Sequence, residues 1–425
     1  MRSKSLFLKV LAIVAVVALL GVACKKNNPT PGGSTAATSG ASGSTSTSGA
    51  SGGQTTAAQK VDVTVYAQGA WTGPYNYLVL PSIQGMQLHF KELNDDPSFP
   101  ATIKLAEADT QGSGDNAPPV AATVVQDPNT VAVAGPAFSG ETRAVGDTYN
   151  QAGIPFVTQS ATAVDLGANG WDYWYRTVGN DDLQGGNDGH FLAKVVKSKN
   201  LYVADDTSDY GKPLADTVDQ TATSDGVKIA GRQSVAPTDD YSSLISDIKS
   251  SGADTVFYGG YDADFAKIVK QGVAAGLKVN WMSGDGSVSS TFLSSAGDAA
   301  EGTYLSIPSN LGGDFVQKYN DAYGSKASTV PVYAAEGYDV AGLIGEGIKQ
   351  AIAGGATSPT DIRTGIKTYL DSLTVDSPYA GVAKAIAFTD NHELDAKDPA
   401  SLLYFYQVKD GKMNPLGNAA DLNLG

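Results

Sequence analysis

The stretch VAVAGPAFSG (131–140) decides the fold. Four small or β-branched residues form a short apolar run, Gly135 and Pro136 break it, and Ser139-Gly140 opens a segment of helical spacing. The expectation is a strand, a turn and a helix start. A second stretch, IPFVTQSAT (154–162), begins as a strand over 154–158 and ends in small hydroxyl residues. Outward from these two, short β-branched or aromatic runs recur at 61–67, 102–106, 201–204, 227–230, 255–259 and 279–282. Helix-period segments lie between them, as at 80–93, 118–125, 241–250 and 264–275. Strands alternating with helices call for parallel sheets covered by helices on both faces, with loops and ligand contacts at the carboxyl ends of the strands. The fold class is therefore α/β, with no internal repeat beyond the alternation itself.

Length turns one sheet into two. The 366 residues from Lys60 onward exceed an ordinary single domain, and 42% hydrophobic content with 49 Gly and 20 Tyr fits a globular chain. Two doubly wound lobes facing each other across a cleft are the economical arrangement. The formal net charge is −15, and it becomes −18 once the first 23 residues, with three bases and no acid, are set aside. A surface of that sign disfavours nucleic acid and anionic membrane as partners.

The first residues read as an address. Arg2, Lys4 and Lys9 precede an apolar run over 10–20, too short to span a bilayer comfortably, so residues 1–23 are expected to be a cleaved secretory signal peptide. Gly21, Val22, Ala23 and Cys24 follow and resemble the bacterial lipobox, with Gly21 where leucine is usual. Cys24 is the one cysteine of the chain, which excludes an internal disulfide and any CxxC metal or redox site, and its expected fate is lipidation. Residues 24–59 form the expected tether, nearly all Gly, Ser, Thr and Ala from Pro29 on, a composition that cannot offset the entropy of ordering. The expected location is extracytoplasmic, held to a cell membrane through the lipid anchor only.

Catalytic and metal chemistry find little support. His89, His190 and His392 are scattered singly, and the folded part of the chain contains no GxSxG, HExxH or P-loop pattern. Gly185, Gly186 and Gly189 do not open a helix after a strand, which speaks against a dinucleotide site. Asp205, Asp206 and Asp209 lack calcium-loop spacing, and Asp390, Glu393, Asp395 and Asp398 read as a solvated loop. No enzyme activity, cofactor or metal is expected.

What remains is a binding site at strand ends. Ser139 can offer its hydroxyl and its backbone N–H at the positive end of a helix dipole, which makes a carboxylate seat. Ser160, Ala161 and Thr162 add further donors and a free carbonyl. The alternative at both places is plain helix capping.

The motifs GAWTGP (69–74), the Ser139 turn, SAT (160–162), DYG (209–211), YGGY (258–261), AAGL (274–277) and GDG (284–286) resemble, in order and spacing, the leucine/isoleucine/valine-binding proteins. These are type I periplasmic solute-binding proteins of branched-chain amino acid ABC transporters. The resemblance runs from about Lys60 to the C-terminus. It implies two lobes joined by three crossover strands near Val178, Pro308 and Asp390. Lobe I would comprise 60–178 plus 309–390, and lobe II 179–308 plus 391–425, with the ligand in the cleft between them.

Carried over residue by residue, the resemblance implies that Ser139 and Thr162 hold an α-carboxylate. The Ser160 carbonyl and the Thr162 hydroxyl would accept from the α-ammonium, beside Ala161. From the second lobe Asp285, standing where a family member has glutamate, would neutralise the ammonium, Gly286 would allow close backbone approach, and Tyr210 and Tyr261 would close over the ligand. Trp71 is expected as the side-chain wall ahead of Tyr75, Tyr77 and Leu78, the last aligning with a family tyrosine. Tyr333, Glu336 and Tyr338 are expected to pack a helix face, with reach into the cleft as the alternative. The implied function is capture of a small amino acid by hinge closure in a monomer and delivery to ABC transporter permease subunits. A chain ending at Gly425 after its second lobe, with no kinase or membrane segment, favours transport over a sensory module; a binder of an amide, urea or aromatic acid is the other alternative.

Overall fold

A computed structural model describes residues 60–424; the expected signal peptide, Cys24 and the tether lie outside the described residues. The first half builds one sheet. Strand β1 (Val61–Gly69) is followed by helix α1 (Asn76–Asp95), then β2 (Ala101–Asp109), α2 (Ala117–Gln126), β3 (Thr130–Ala134), α3 (Ser139–Gln151), β4 (Phe156–Thr158) and β5 (Trp174–Arg176). The five strands pair in parallel in the order β2-β1-β3-β4-β5. Every residue of β3 is buried, as a central strand covered on both faces requires.

The second sheet repeats the scheme. Helix α4 (Asp181–Phe191) leads into β6 (Asn200–Asp205), α5 (Gly211–Ser224), β7 (Lys228–Ser234), α6 (Ser242–Ser251), β8 (Thr255–Gly259), α7 (Asp262–Ala274), β9 (Asn280–Ser283), α8 (Ser290–Ala296) and β10 (Tyr304–Ile307). The chain then returns to the first lobe through α9 (Asp314–Tyr323), α10 (Ala334–Ala353), α11 (Pro359–Asp371), β11 (Tyr379–Ala380), β12 (Ala385–Phe388) and β13 (Leu394–Asp395). Strands β14 (Tyr404–Lys409) and β15 (Lys412–Asn418) finish the second sheet, whose order is β15-β14-β10-β9-β8-β6-β7, with β14 and β15 antiparallel to their neighbours.

Each lobe has its own core. In lobe I, Val63 and Val65 of β1 meet Met86 and Phe90 of α1, Leu343 and Ile344 of α10 and Ile362 of α11, while Val133 and Phe156 face Val145 and Tyr149 of α3 on the other side. In lobe II, Val256 and Tyr258 pack against Phe265 and Val269 of α7, and Val203 and Phe257 against Leu214 and Val218 of α5. Helices on both faces of both sheets make this a doubly wound two-lobed molecule.

Two details depart from the sequence reading. Helix α1 begins at Asn76 instead of residue 80, so Pro81 sits inside it. A proline is expected in a first helical turn, where its missing N–H costs nothing, but here Asn76 anchors an earlier start by donating its side-chain amide to the carbonyls of Ala70 (3.1 Å) and Trp71 (2.6 Å). The third crossing falls later than Asp390. Strands β12 and β13 form an antiparallel pair and Leu394 packs against the lobe I core, so the chain changes lobe only between Asp395 and the 3-10 turn Pro399–Leu402, which contacts α4 and β15.

The crossovers converge on one buried cation. The Lys384 ammonium lies 2.9 Å from Glu336 Oε1 and 3.5 Å from each of the carbonyls of Thr177 and Pro308, at the start of the first two crossings. The other Glu336 oxygen accepts from Ser309 Oγ at 2.8 Å. The two side chains are only 7% and 1% exposed. Glu336 thus serves the hinge, whereas Tyr338 packs on Phe315 and His89 and donates to Glu92 at 2.6 Å.

Candidate functional site

The carboxyl end of β3 delivers the first wall. Gly135 turns the chain at φ +126°, where a Cβ would lie 2.6 Å from the Gln68 carbonyl, and α3 then starts at Ser139. As the first residues of α3, Ser139 and Gly140 present backbone N–H groups that no helical carbonyl can take. Ser139 Oγ accepts from the Ala163 N–H at 3.1 Å, which leaves its own proton free to donate. The next strand, β4, is followed by a loop pinned by Thr158 Oγ1, which accepts from the N–H of Ala161 at 3.0 Å. In that loop Ser160 Oγ donates to the Ala137 carbonyl at 2.8 Å, while Thr162 is buried beside Asp181.

The second wall comes from lobe II. After β9, the turn Asp285–Ser287 holds Asp285 at 5% exposure. Tyr210 donates to one carboxylate oxygen and Tyr333 to the other, each at 2.7 Å. The Tyr210 oxygen in turn accepts the Gly286 N–H at 2.9 Å. A Cβ at Gly286 would lie 2.6 Å from the Tyr210 ring and 2.8 Å from the Gly260 carbonyl, so no side chain fits there. Burial raises the Asp285 pKa, with the tyrosine donors working against it. Burial followed by the Asp285 charge pushes the Tyr210 and Tyr333 hydroxyls well up, which keeps them donors.

Between these walls lies a small cavity of about 40 Å³. Ser139, Ser160, Asp285, Tyr210, Tyr261 and Tyr333 line it together with the apolar Leu78, Val79, Ala137, Phe138 and Val332. No basic side chain is part of that lining among the described residues. Tyr75 and Phe138 of lobe I pack against Tyr261 of lobe II, one tilted and one edge-on, with ring centroids 5.0 and 5.7 Å away, and Arg143 pairs with Asp209 at 2.7 Å. The lobes therefore meet over the cavity.

The residues expected from the sequence divide clearly. Ser139, Ser160, Tyr210, Tyr261, Asp285 and Gly286 line one cavity, with Ala161 and Thr162 buried in the adjoining loop. Trp71 is not part of the lining: its indole N–H donates to the Ala67 carbonyl at 2.7 Å and its ring packs against the lobe I cores, while Leu78 and Val79, one and two positions into the buried face of α1, reach the cavity instead. Tyr333 was expected to pack a helix face and stands in the site. Gly185, Gly186 and Gly189 lie within α4, and no group of His, Cys, Asp or Glu suited to a metal ion is found among the described residues.

Acids accumulate around this cavity without cations to match. Asp181 and Asp188 of α4 are wholly buried, and burial followed by neighbouring carboxyls or hydroxyls governs them: Asp285 is the second cause for Asp181, and a Ser306 hydrogen bond opposes the rise for Asp188. The Thr162 hydroxyl and the Arg176 charge oppose the rise at Asp181. Elsewhere in lobe I, burial pushes Glu141 up to about 8 and Asp339 to about 7. These groups hold protons in the folded state that the unfolded chain, with ordinary carboxyls, has released, so folding stability falls as pH rises toward and through the folded values. His89, whose pKa burial lowers, acts in the opposite sense only below the ordinary histidine range. The free protein is expected to melt at a lower temperature at pH 9 than at pH 6.5 in calorimetric scans; a higher melting temperature at pH 9 would contradict the buried, protonated acids.

Two doubly wound lobes, three crossings and an interlobe cavity carrying a helix N-terminus on one wall and an acid on the other are the architecture of a two-lobed binding protein. The chain belongs to the periplasmic binding protein family, whose model, described as Periplasmic binding protein, matches residues 68–412. It is 31% identical over 222 residues to the leucine-, isoleucine-, valine-, threonine- and alanine-binding protein of Pseudomonas aeruginosa, a match that takes in 52% of this chain and 60% of that protein. A second relative, the Leu/Ile/Val-binding protein of Escherichia coli K12, is 29% identical over 256 residues, covering 59% of this chain and 68% of the relative. The chain thus spans about three fifths to two thirds of the length of these relatives. Among solved structures, leucine-binding protein LivK of Thermotoga maritima has a TM-score of 0.73 at 20% identity, covering 84% of this chain and 98% of that one. A solute-binding protein of R. palustris in complex with benzoate has a TM-score of 0.72 at 19% identity, covering 84% and 96%. These likenesses show the fold.

Proposed function

We propose that this protein captures a free amino acid of the branched-chain type by closing its lobes and hands it to the permease subunits of an ABC transporter. One observation carries the reading: a single cavity joins the start of α3, whose first N–H groups have no helical acceptor, to a buried carboxylate, Asp285, with no basic side chain in the lining among the described residues. A zwitterion supplies the two missing charges, its carboxylate at Ser139 and Thr162 and its ammonium at Asp285. The apolar wall of Leu78, Val79, Phe138 and Val332 suits an aliphatic side chain. A simple acid such as benzoate satisfies the first wall and leaves Asp285 facing no cation, so the amine-bearing ligand is favoured.

Lobe I binds first and lobe II contacts exist only on closure, so the ligand shifts the population toward the closed state by its differential affinity. Residues 1–23 are removed on export, and lipid on Cys24 holds the rest outside the cytoplasm on the 24–59 tether. The relatives named as leucine/isoleucine/valine-binding proteins support this reading. The test is calorimetry with leucine, isoleucine, valine, their amides and benzoate. At least one free amino acid is expected to bind, with its amide weaker by about tenfold or more because the amide cannot use the charge-assisted seat. Equal binding of acid and amide would remove the carboxylate seat, and binding of benzoate alone would remove the amino-acid assignment.

A further inference from the structure

Asp285 alone does not account for the ammonium end of the cavity. Both its oxygens already accept a phenol hydrogen bond, and the two phenols are not equivalent. The Tyr210 oxygen donates to Asp285 and accepts from the Gly286 N–H, so its hydrogen-bonding capacity is largely used within lobe II. The Tyr333 oxygen donates to Asp285 and accepts from nothing among the described residues, although the residue is buried and lines the cavity. A phenol oxygen that has given its proton to a carboxylate is a strengthened acceptor. Its position is firmly set: Tyr333 adopts a left-handed backbone (φ 52°, ψ 18°) as the residue before α10, its neighbours Val330 and Val332 are buried in the lobe II core, and α10 itself packs on α1 of lobe I. The residue therefore stands at the seam of the lobes, before α10 of lobe I and against the acid of lobe II.

We propose that the Tyr333 hydroxyl is a ligand contact that accepts from the amine while donating to Asp285, so that it relays the acid's charge across the distance a short aspartate leaves open. An amine on the ligand then becomes a condition of tight binding. This inference rests on the amino-acid reading above and deepens it by naming a specificity-determining residue on the same site. In chemical terms Tyr333 does part of what one further methylene on the acid would do, since an added carbon extends the carboxylate by about 1.5 Å.

The test is a double-mutant cycle read by calorimetry with the amino acid that the wild-type protein binds best among leucine, isoleucine and valine. Tyr333→Phe, which keeps the ring and removes only the hydroxyl, is expected to weaken binding by about tenfold or more. In an Asp285→Glu background, where the longer acid reaches the amine itself, Tyr333→Phe is expected to change affinity by less than about twofold. The relay is overturned if Tyr333→Phe binds as wild type does, if it costs the same factor in both backgrounds, or if Asp285→Glu itself abolishes binding. Wild-type protein that binds none of the three amino acids contradicts the proposed function instead, a result distinct from each of these.

Discussion

Asp285→Ala is expected to weaken amino-acid binding by about a hundredfold or more. The substitution removes the one carboxylate in the cavity lining and leaves the ligand's ammonium buried against hydroxyls alone. Breaking a buried pair by deleting one partner costs about 3–5 kcal/mol, because the remaining charge stays out of water, and each tenfold in affinity is about 1.4 kcal/mol. The change also strands the hydroxyls of Tyr210 and Tyr333, which both donate to Asp285, so some rearrangement of the wall adds to the loss. Asp285→Asn separates the two effects, since it keeps a hydrogen-bonding group of the same shape and deletes only the charge. Calorimetry showing unchanged affinity in Asp285→Ala would take this acid out of the ligand's reach.

Lys384→Met is expected to destabilise the free protein by about 3–5 kcal/mol, a large share of the total stability of an ordinary domain. Glu336 would keep its Ser309 hydrogen bond but lose its only cation in a position 1% exposed, and the carbonyls of Thr177 and Pro308 would lose the ammonium that lies between them. Urea denaturation of the ligand-free variant measures the effect. Adding Glu336→Gln to Lys384→Met should recover much of the stability, because the uncompensated charge is then gone. A single variant as stable as wild type would show that the first two crossings are not held by this pair. Because the pair sits where the lobes are joined, the same variants report whether hinge stiffness feeds into ligand affinity, which closure-linked binding requires.

The fold was legible where periodicity is local. Strand β3 and its neighbours are short β-branched runs, and the alternation with helices forces a parallel sheet, so two doubly wound lobes followed from spacing and length. Ser139 was legible for a related reason, since it stands at the carboxyl end of a strand where such folds place ligands, whereas Asp285 was reached only through the family resemblance of GDG (284–286). Less local features were not. Tyr333 meets an acid 48 residues away from a left-handed position that no helical pattern marks, so its sequence neighbourhood reads only as the start of α10. Trp71 looked like a pocket wall because it is large and close to the right loop, yet Asn76 draws α1 back to an earlier start, and the first turns of that helix carry Leu78 and Val79 into the cavity. The β12–β13 hairpin escaped for a similar reason: two-to-four-residue strands leave almost no pattern, and their pairing is visible only in space.

The account stands on one small zwitterion being held at both ends, by α3 of one lobe and by the Asp285 turn of the other. A crystal structure of the protein with the amino acid that calorimetry selects measures this directly. The expected result is the ligand carboxylate within hydrogen-bond distance of Ser139 and its amine at Asp285 and Tyr333, with both lobes in contact. A ligand bound in the reverse sense, or touching lobe I alone while Asp285 faces only Tyr210 and Tyr333, would contradict it.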